Sequence, residues 1–379
     1  MKFITDVSIL DCQSHNPAFS TLKQQLPLDL AGNLRDYYVP INPYFPTSSL
    51  FEHIRENLAE LLLYYPEQNL VLSKSLEQFL EIDSQCLVMA NGSTELITWI
   101  DHLFVGHSLL TCIPTFGRWT DQSQSTGKKV FTYLRLVDDN FEINVDLFVK
   151  KAIDCKVDVV VLCNPNNPTG AFLPYDSMLD LFDQLKSIKL IVIDESFIDF
   201  VNMDTQISVQ HEVLKRHNVI VIKSMGKCLG LHGIRLGYAV SNSAISKKLR
   251  SALPYWNING VAELVLRQLT NYKKDINSSR KEVIKDRIYL YNQLKCIPGL
   301  TVYPSEANFV YIRLPDGITG PTIRNYLAQF HGYIIRECSN KEGSSEQFCR
   351  IAATPKESTD DLISAIQDAL IYCAPSNIK

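Results

Sequence analysis

Between residues 86 and 241, short apolar runs alternate with segments of helical period, and this alternation restricts the architecture more than any other property of the chain. The runs read CLVMA, SLLTCI, KVFTYL, VDVVVLC, KLIVI, NVIVIKS and LGYAVS, with helical patterns such as STELITWIDHLF and YDSMLDLFDQL between them. A strand that is apolar on both faces needs cover on both, and helices in the connections supply it. The pattern therefore predicts an α/β fold whose large domain has a mostly parallel sheet between helices.

The flanks read differently. From Ser49, SLFEHIRENLAELLLYY puts Leu50, Ile54, Leu58, Leu61 and Leu62 on one helical face, with Ser49 and Glu52 as a capping box. After residue 270, an amphipathic helix over 279–294 opened by Ser279 and Glu282 precedes short strands LTVY, NFVYIR, YIIR and CRIA. A last helix, capped near Ser358, carries Leu362, Ile363, Ile366 and Leu370 on one face. This is the pattern of a smaller α+β domain. At 379 residues the chain exceeds a single core. The expected division is a large domain over 46–269 and a small one from 1–45 and 270–379, with the N-terminal segment wrapping onto the small domain or bridging to it.

Charge and composition narrow the function. A net charge of -4 and a pI near 6.1 give no reason to expect nucleic acid or an anionic membrane surface. No apolar run approaches the roughly 20 residues that span a bilayer, and MKFITDVSIL is too short and interrupted for a secretory signal, so a cytoplasmic protein is expected. The 10 cysteines are scattered without a C-x-x-C, and the 8 histidines lack zinc-ligand spacing, so no metal site is expected. A small-molecule partner remains.

In an open α/β sheet the ligand crevice lies beyond the carboxyl ends of the strands, and the polar residues of this chain gather there. CLVMA is followed by Asn91, Gly92, Ser93 and Thr94; SLLTCI by Pro114, Thr115 and Phe116; VDVVVLC by Asn164 to Gly170, reading NPNNPTG; KLIVI by Asp194, Glu195, Ser196 and Phe197; and NVIVIKS leads from Ser224 to Lys227. Gly92, Ser93 and Thr94 open a helix whose N–H groups suit a phosphate, to which Ser224 and Arg235 add a hydroxyl and a charged fork. Neither G-x-G-x-x-G nor a Walker A sequence is present, which points away from a nucleotide. A lysine, a carboxylate, an amide and a flat ring are what pyridoxal 5'-phosphate requires: an amine for its aldehyde, a partner for its ring nitrogen, a donor to its ring hydroxyl and a stacking surface. Taken singly, each has a duller explanation, Asp194 as a helix cap, Lys227 as a solvated lysine and NPNNPTG as a turn. Their conjunction at neighbouring strand ends favours the cofactor.

These segments resemble the pyridoxal-phosphate-dependent class I/II aminotransferases of fold type I. Asn164 to Gly170 is similar to the family's N-P-x-N-P-T-G turn, Asp194 with Glu195 to its strand-end D-E, and SMGKCLGLHGIRLGY to its S-x-S-K-x-x-x-x-x-G-x-R-x-G-Y segment, with Gly226 in place of the second serine. The resemblance implies Lys227 as the Schiff-base lysine, Asp194 as partner of the pyridine nitrogen and Asn167 as donor to the ring hydroxyl. It implies Ser224, Arg235 and the backbone at Ser93 and Thr94 on the phosphate, Phe116 stacked on the ring, and Phe197 where the family has a tyrosine. Within the family the chain resembles the branch shared by histidinol-phosphate aminotransferase and threonine-phosphate decarboxylase. YYPE at 64–67 is similar to R-Y-P-E, which implies a homodimer in which Tyr65 reaches the neighbouring site. IIRECSN and FCRIA imply Arg350 as partner of the substrate α-carboxylate and Arg336 as a second anion contact, and INP at 41–43 puts Asn42 with the substrate. INP, LPYWNINGVAE and LTVYPSEANFVYIR look more like the decarboxylase, whereas its N-terminal H-G-G-N has only HNPAFS at 15–20 as counterpart. On that absence the sequence favours an aminotransferase acting on an amino acid and a 2-oxo acid. A decarboxylase is the alternative, and a non-catalytic cofactor-binding regulatory module is a third reading that the lysine opposes.

Overall fold

Each apolar run becomes a strand of one sheet. The computed structural model describes Leu10 and residues 19–25, 34–202 and 206–374. Its 7-stranded sheet comprises β1 (Leu87–Asn91), β2 (Ser108–Ile113), β3 (Lys129–Leu134), β4 (Val159–Cys163), β5 (Leu190–Asp194), β6 (Val219–Ser224) and β7 (Leu236–Ser241), in the order β1-β7-β6-β5-β4-β2-β3. The neighbours from β6 through to β3 are parallel, whereas β7 runs antiparallel to both β1 and β6. The reversal has a local cause: no crossover helix separates β6 from β7, so the chain turns straight back beside the strand it left. Val160, Ile191 and Val221 are fully buried on one face of the sheet, Val161, Val192 and Ile220 on the other. Each such side chain contributes roughly 1.5–3 kcal/mol by leaving water.

Helix α1 (Ser48–Leu63) is capped by Thr47, whose hydroxyl accepts from the Leu50 N–H; Ser49, the expected cap, instead shares a hydrogen bond with Tyr272. Of its apolar face, Leu50 is buried and Ile54 and Leu61 pack on the core, but Leu58 and Leu62 are exposed. Two helices open on strand ends, α2 (Ser93–Phe104) after β1 and α3 (Arg118–Ser125) after β2.

A second, 4-stranded sheet comprises β8 (Thr301–Tyr303), β9 (Phe309–Arg313), β10 (Arg336–Glu337) and β11 (Phe348–Ala352), ordered β10-β11-β9-β8. Helix α4 (Lys273–Lys295) serves both halves: Ile276 and Val283 enter the core of the large sheet, Leu290 and Leu294 that of the small one. Ser279, expected to cap this helix, lies inside it, and its hydroxyl donates to the Ile276 carbonyl at 2.8 Å. Helix α5 (Lys356–Tyr372) follows Pro355, and Ser358, the expected cap, falls in its first turn. Of the N-terminal segment, Leu10 and Leu22 pack on Ala328 and Ile334, and Arg35–Asp36 pairs with Tyr333–Ile334. Residues 15–18 of HNPAFS lie outside the described residues. No described helix is long and apolar enough to cross a membrane.

Candidate active site

The turn NPNNPTG holds itself in place with two of its three amides. Asn164 exchanges both hydrogen bonds of its amide with the backbone of Leu173, at 2.8 and 2.9 Å, while the Asn166 Nδ2 donates to the Pro114 carbonyl and to Thr169 Oγ1. Gly170 stands at φ +77, where a Cβ would lie 2.0 Å from the Ser305 hydroxyl, so only glycine closes the turn. The third amide, Asn167, is thereby left over. It lines a cavity at the ends of β4, β5 and β6 together with Ser93, Phe116, Asp194, Phe197 and Lys227.

Asp194 ends β5 beside Cys163 of β4, its register partner. Its Oδ1 accepts from the Ser196 N–H at 3.1 Å and its Oδ2 from the buried Trp119 indole N–H at 3.2 Å. Both oxygens are held, so the carboxylate keeps one orientation. Its neighbour Glu195 faces away: burial pushes its carboxyl up to about 7, and it accepts from Ser208 and the Val209 N–H. Lys227 Nζ lies 4.9 Å from the centre of the Phe197 ring and has no hydrogen bond to any described residue. Burial pulls this amine down to about 8, with Asp194 opposing and Arg235 and Arg350 reinforcing the shift. An amine so placed has a far larger neutral, nucleophilic fraction near physiological pH than an ordinary lysine, although the protonated form still dominates below 8.

A cradle for an anion adjoins the cavity at the start of α2. Gly92, at φ +73, leaves room for the Arg235 guanidinium, whose Nη2 would be 2.4 Å from any Cβ there. The same nitrogen donates to Thr94 Oγ1 at 3.0 Å. Ser224 ends β6, and its N–H donates to Ser196 Oγ at 3.0 Å. A Cβ on Gly237, the register partner of Ser224, would collide with the backbone of Gly92 and Ser93, so bare backbone is needed to bring these segments together.

The small sheet supplies the cations. Arg336 and Arg350 are register partners across β10 and β11, so both side chains project from the same face. Arg350 Nη1 donates to Asn167 Oδ1 at 2.7 Å and its Nη2 to the Tyr38 carbonyl at 2.8 Å, while Arg336 donates to the Tyr38 hydroxyl and to Asn340. Both guanidiniums are buried.

Two of the residues expected at the site stand apart from this cavity. Asn42 is a strut: its Nδ2 donates to the Cys228 carbonyl and to Ser279 Oγ, its Oδ1 accepts from the Tyr44 N–H, and its own N–H donates to the Lys227 carbonyl at 3.1 Å. Both N–H groups of its amide and one acceptor position are taken up within the protein, so it braces the loop that carries Lys227. Tyr65 is 80% exposed and stacks on Trp256. Two others, Trp119 and Tyr38, complete the site without having been singled out by the sequence. Trp119 lies one helical turn beyond Phe116, a spacing that would have pointed to it.

The chain has relatives among known proteins. The sequence model of the family described as aminotransferase class I and II matches residues 43–366. An L-serine phosphate decarboxylase of Campylobacter jejuni is 32% identical over 94% of this chain and 93% of the relative. The structure of a decarboxylase from Sulfurospirillum multivorans superposes with a TM-score of 0.85 at 30% identity, covering 94% of this chain and 93% of that one. That of a histidinol-phosphate aminotransferase from Clostridium acetobutylicum gives 0.80 at 27%, covering 88% and 98%.

Proposed function

Because this chain belongs to the aminotransferase class I and II family, a family of pyridoxal-phosphate enzymes, we propose that it is a decarboxylase of a small α-amino acid bearing a phosphate ester. The observation that carries this reading is its likeness, along nearly its whole length, to L-serine phosphate decarboxylases. That likeness outweighs the preference for transamination drawn from the missing H-G-G-N segment, since a phosphate can be held by residues elsewhere in the chain.

The residues present fit the cofactor. Lys227 is a half-buried amine without a hydrogen-bond partner among the described residues, Asp194 a carboxylate held in one orientation, and Gly92 a bare backbone site under Arg235. Lys227 is assigned to the aldehyde, Asp194 to the ring nitrogen, Asn167 to the ring hydroxyl, and Phe116 with Phe197 to the ring faces. Ser93, Thr94, Ser224 and Arg235 are assigned to the phosphate. When bound, pyridoxal phosphate supplies an aldehyde that captures the substrate amine and a protonated ring that accepts the electron pair released at the α-carbon.

The chain's own groups direct the outcome. Arg350 would orient the α-carboxylate and so help select which bond to the α-carbon is broken. Lys227, with a proton affinity near pH 8, carries protons to and from the α-carbon. Burial of both arginines keeps water from competing for the substrate's anions. The exposed residues Leu62, Leu63, Tyr64 and Tyr65 beside Trp256 form an apolar patch suited to a second copy of the chain, through which Tyr65 would reach the neighbouring site.

The test is to mix the holoenzyme with O-phospho-L-serine and follow carbon dioxide together with the aminated form of the cofactor. Carbon dioxide without that form is expected. Stoichiometric aminated cofactor without gas would overturn the reading in favour of transamination.

A further inference from the structure

A second cavity, of about 140 Å3, lies between the end of β2 and the small sheet. Thr115, Gly117 and Arg118 line it from one side, and Arg336, Asn340 and Lys341 from the other. It abuts the lysine cavity: Phe116, between Thr115 and Gly117, belongs to that one, and Arg336 is joined through Tyr38 to Arg350 and so to Asn167.

Lys341 is the group in this cavity that the site so far leaves unexplained. Its Nζ makes one long hydrogen bond, 3.3 Å to the Thr115 carbonyl, and among the described residues no carboxylate forms an ion pair with it. Desolvation pulls its amine down to about 8; Cys338 and, more weakly, Asp121 oppose this, while Arg336 and Arg350 push the same way. An ammonium with one long hydrogen bond, in a cavity it shares with the Arg336 guanidinium, favours an anionic ligand. The position is also fixed. Gly343, at φ +80, sits so close to the end of β2 that a Cβ would lie 3.0 Å from the backbone of Ile113 and Pro114. Ser344 is tied to the Tyr311 hydroxyl at 2.7 Å, and the Lys341 N–H to the Cys338 carbonyl at 3.1 Å. The loop therefore presents the ammonium from the small sheet across to the strand end.

We propose that Lys341 reads the anionic end of the substrate side chain, its ammonium exchanging the Thr115 carbonyl for an oxygen of a phosphate monoester held beside Arg336. With the α-carboxylate on Arg350, a short amino acid places its side-chain anion near Arg336, since both arginines are bonded to Tyr38. A phosphate offers enough acceptor oxygens to engage the guanidinium and the ammonium at once. Arg118 adds positive charge, while Asp121 and Glu342, which also line the cavity, disfavour more than one anion there.

This inference rests on the decarboxylase reading, and the experiment separates the two. Inorganic phosphate is titrated calorimetrically into the holoenzyme, whose cofactor phosphate site is already filled, and into its Lys341→Met and Lys341→Arg variants. Carbon dioxide release from O-phospho-L-serine is measured on the same preparations. The expected result is a phosphate affinity, and a kcat/KM for phosphoserine, lower by about 30- to 100-fold in Lys341→Met and within about 5-fold of wild type in Lys341→Arg. Phosphate affinity unchanged in Lys341→Met, or lost equally in both variants, would overturn the subsite, whether or not gas is released. Lysine-dependent phosphate binding without carbon dioxide would support the subsite and overturn the decarboxylase alone.

Discussion

Arg350 donates from Nη1 to the Asn167 side-chain oxygen at 2.7 Å, and that one bond decides which end of the amide faces the cavity. A guanidinium only donates, so the amide oxygen must turn toward it and the NH2 is left to donate to a bound ring. On the proposed assignment, the arginine that would read the substrate carboxylate would also orient the amide meant for the cofactor's hydroxyl. Arg350→Ala is expected to raise KM for an amino acid about 100-fold, through loss of charge-assisted hydrogen bonds, and to lower kcat as well because Asn167 is released. Asn167→Ala should weaken cofactor retention while leaving KM nearly unchanged. Steady-state kinetics of both variants check this, and an Arg350→Ala enzyme with wild-type KM would refute the carboxylate role.

The Trp119 indole fixes the second oxygen of Asp194 at 3.2 Å while itself only 2% exposed. Trp119→Phe keeps an aromatic ring but removes the N–H and part of the indole's bulk. A folded protein less stable by about 1–2 kcal/mol is expected, with kcat reduced about 10-fold because the carboxylate is no longer held for the ring nitrogen. Asp194→Asn, which removes the charge, should cost far more. The pH dependence of the cofactor's visible absorption separates a positioning effect from loss of packing, since packing alone would leave it unmoved.

Lys227 must be neutral to attack an aldehyde, and burial brings its amine down to about 8. Below that pH the protonated form dominates. The rate at which the apoprotein takes up pyridoxal phosphate should therefore rise with pH, half-maximally near 8, and level off above it, well below the usual lysine range near 10.4. Stopped-flow absorption across pH 6 to 10 measures this. Lys227→Ala should bind the aldehyde without covalent attachment and lose turnover.

Strand runs and strand-end chemistry were legible in the sequence because both are local. VVVLC and LIVID are apolar on both faces whatever surrounds them, and the residues that follow have nothing to pack. Direction was not legible: LGYAVS reads like its neighbours, and only the lack of an α-helix between Ser224 and Leu236 marks it as antiparallel. Ser279 carries the local signature of a cap, but the helix begins earlier because Ile276 has a place in the core and Asn42 takes up the serine hydroxyl. The pairing of Arg336 with Arg350, the reach of Trp119 to Asp194 and the approach of Lys341 to Thr115 are contacts across long separations. Neighbouring sequence can point to a residue, as the spacing from Phe116 does to Trp119, but it does not fix the distant partner.

Asp199, in the turn after β5, tests how the large sheet is joined to α4. Its Oδ1 accepts from Lys223 Nζ at 2.8 Å and lies 2.7 Å from Arg280 Nη2, with all three side chains largely buried. Burial alone would raise its carboxyl, yet Arg280 and Lys223 hold it below the ordinary 3.8. Asp199→Asn would leave two buried cations facing each other, and a loss of about 3–5 kcal/mol is expected in urea unfolding, as for breaking one side of a buried ion pair. Adding Lys223→Met should recover part of it, because one of the two orphaned charges goes. The pH dependence follows from the direction of the shift. With a folded-state value below the unfolded one, the carboxylate's contribution is complete above about pH 4 and is lost as pH falls through the folded value. The stability gap between wild type and Asp199→Asn should therefore be constant from pH 5 to 8 and narrow only at strongly acidic pH. A gap that closed near neutrality would show that the carboxyl is not ionised in the native protein.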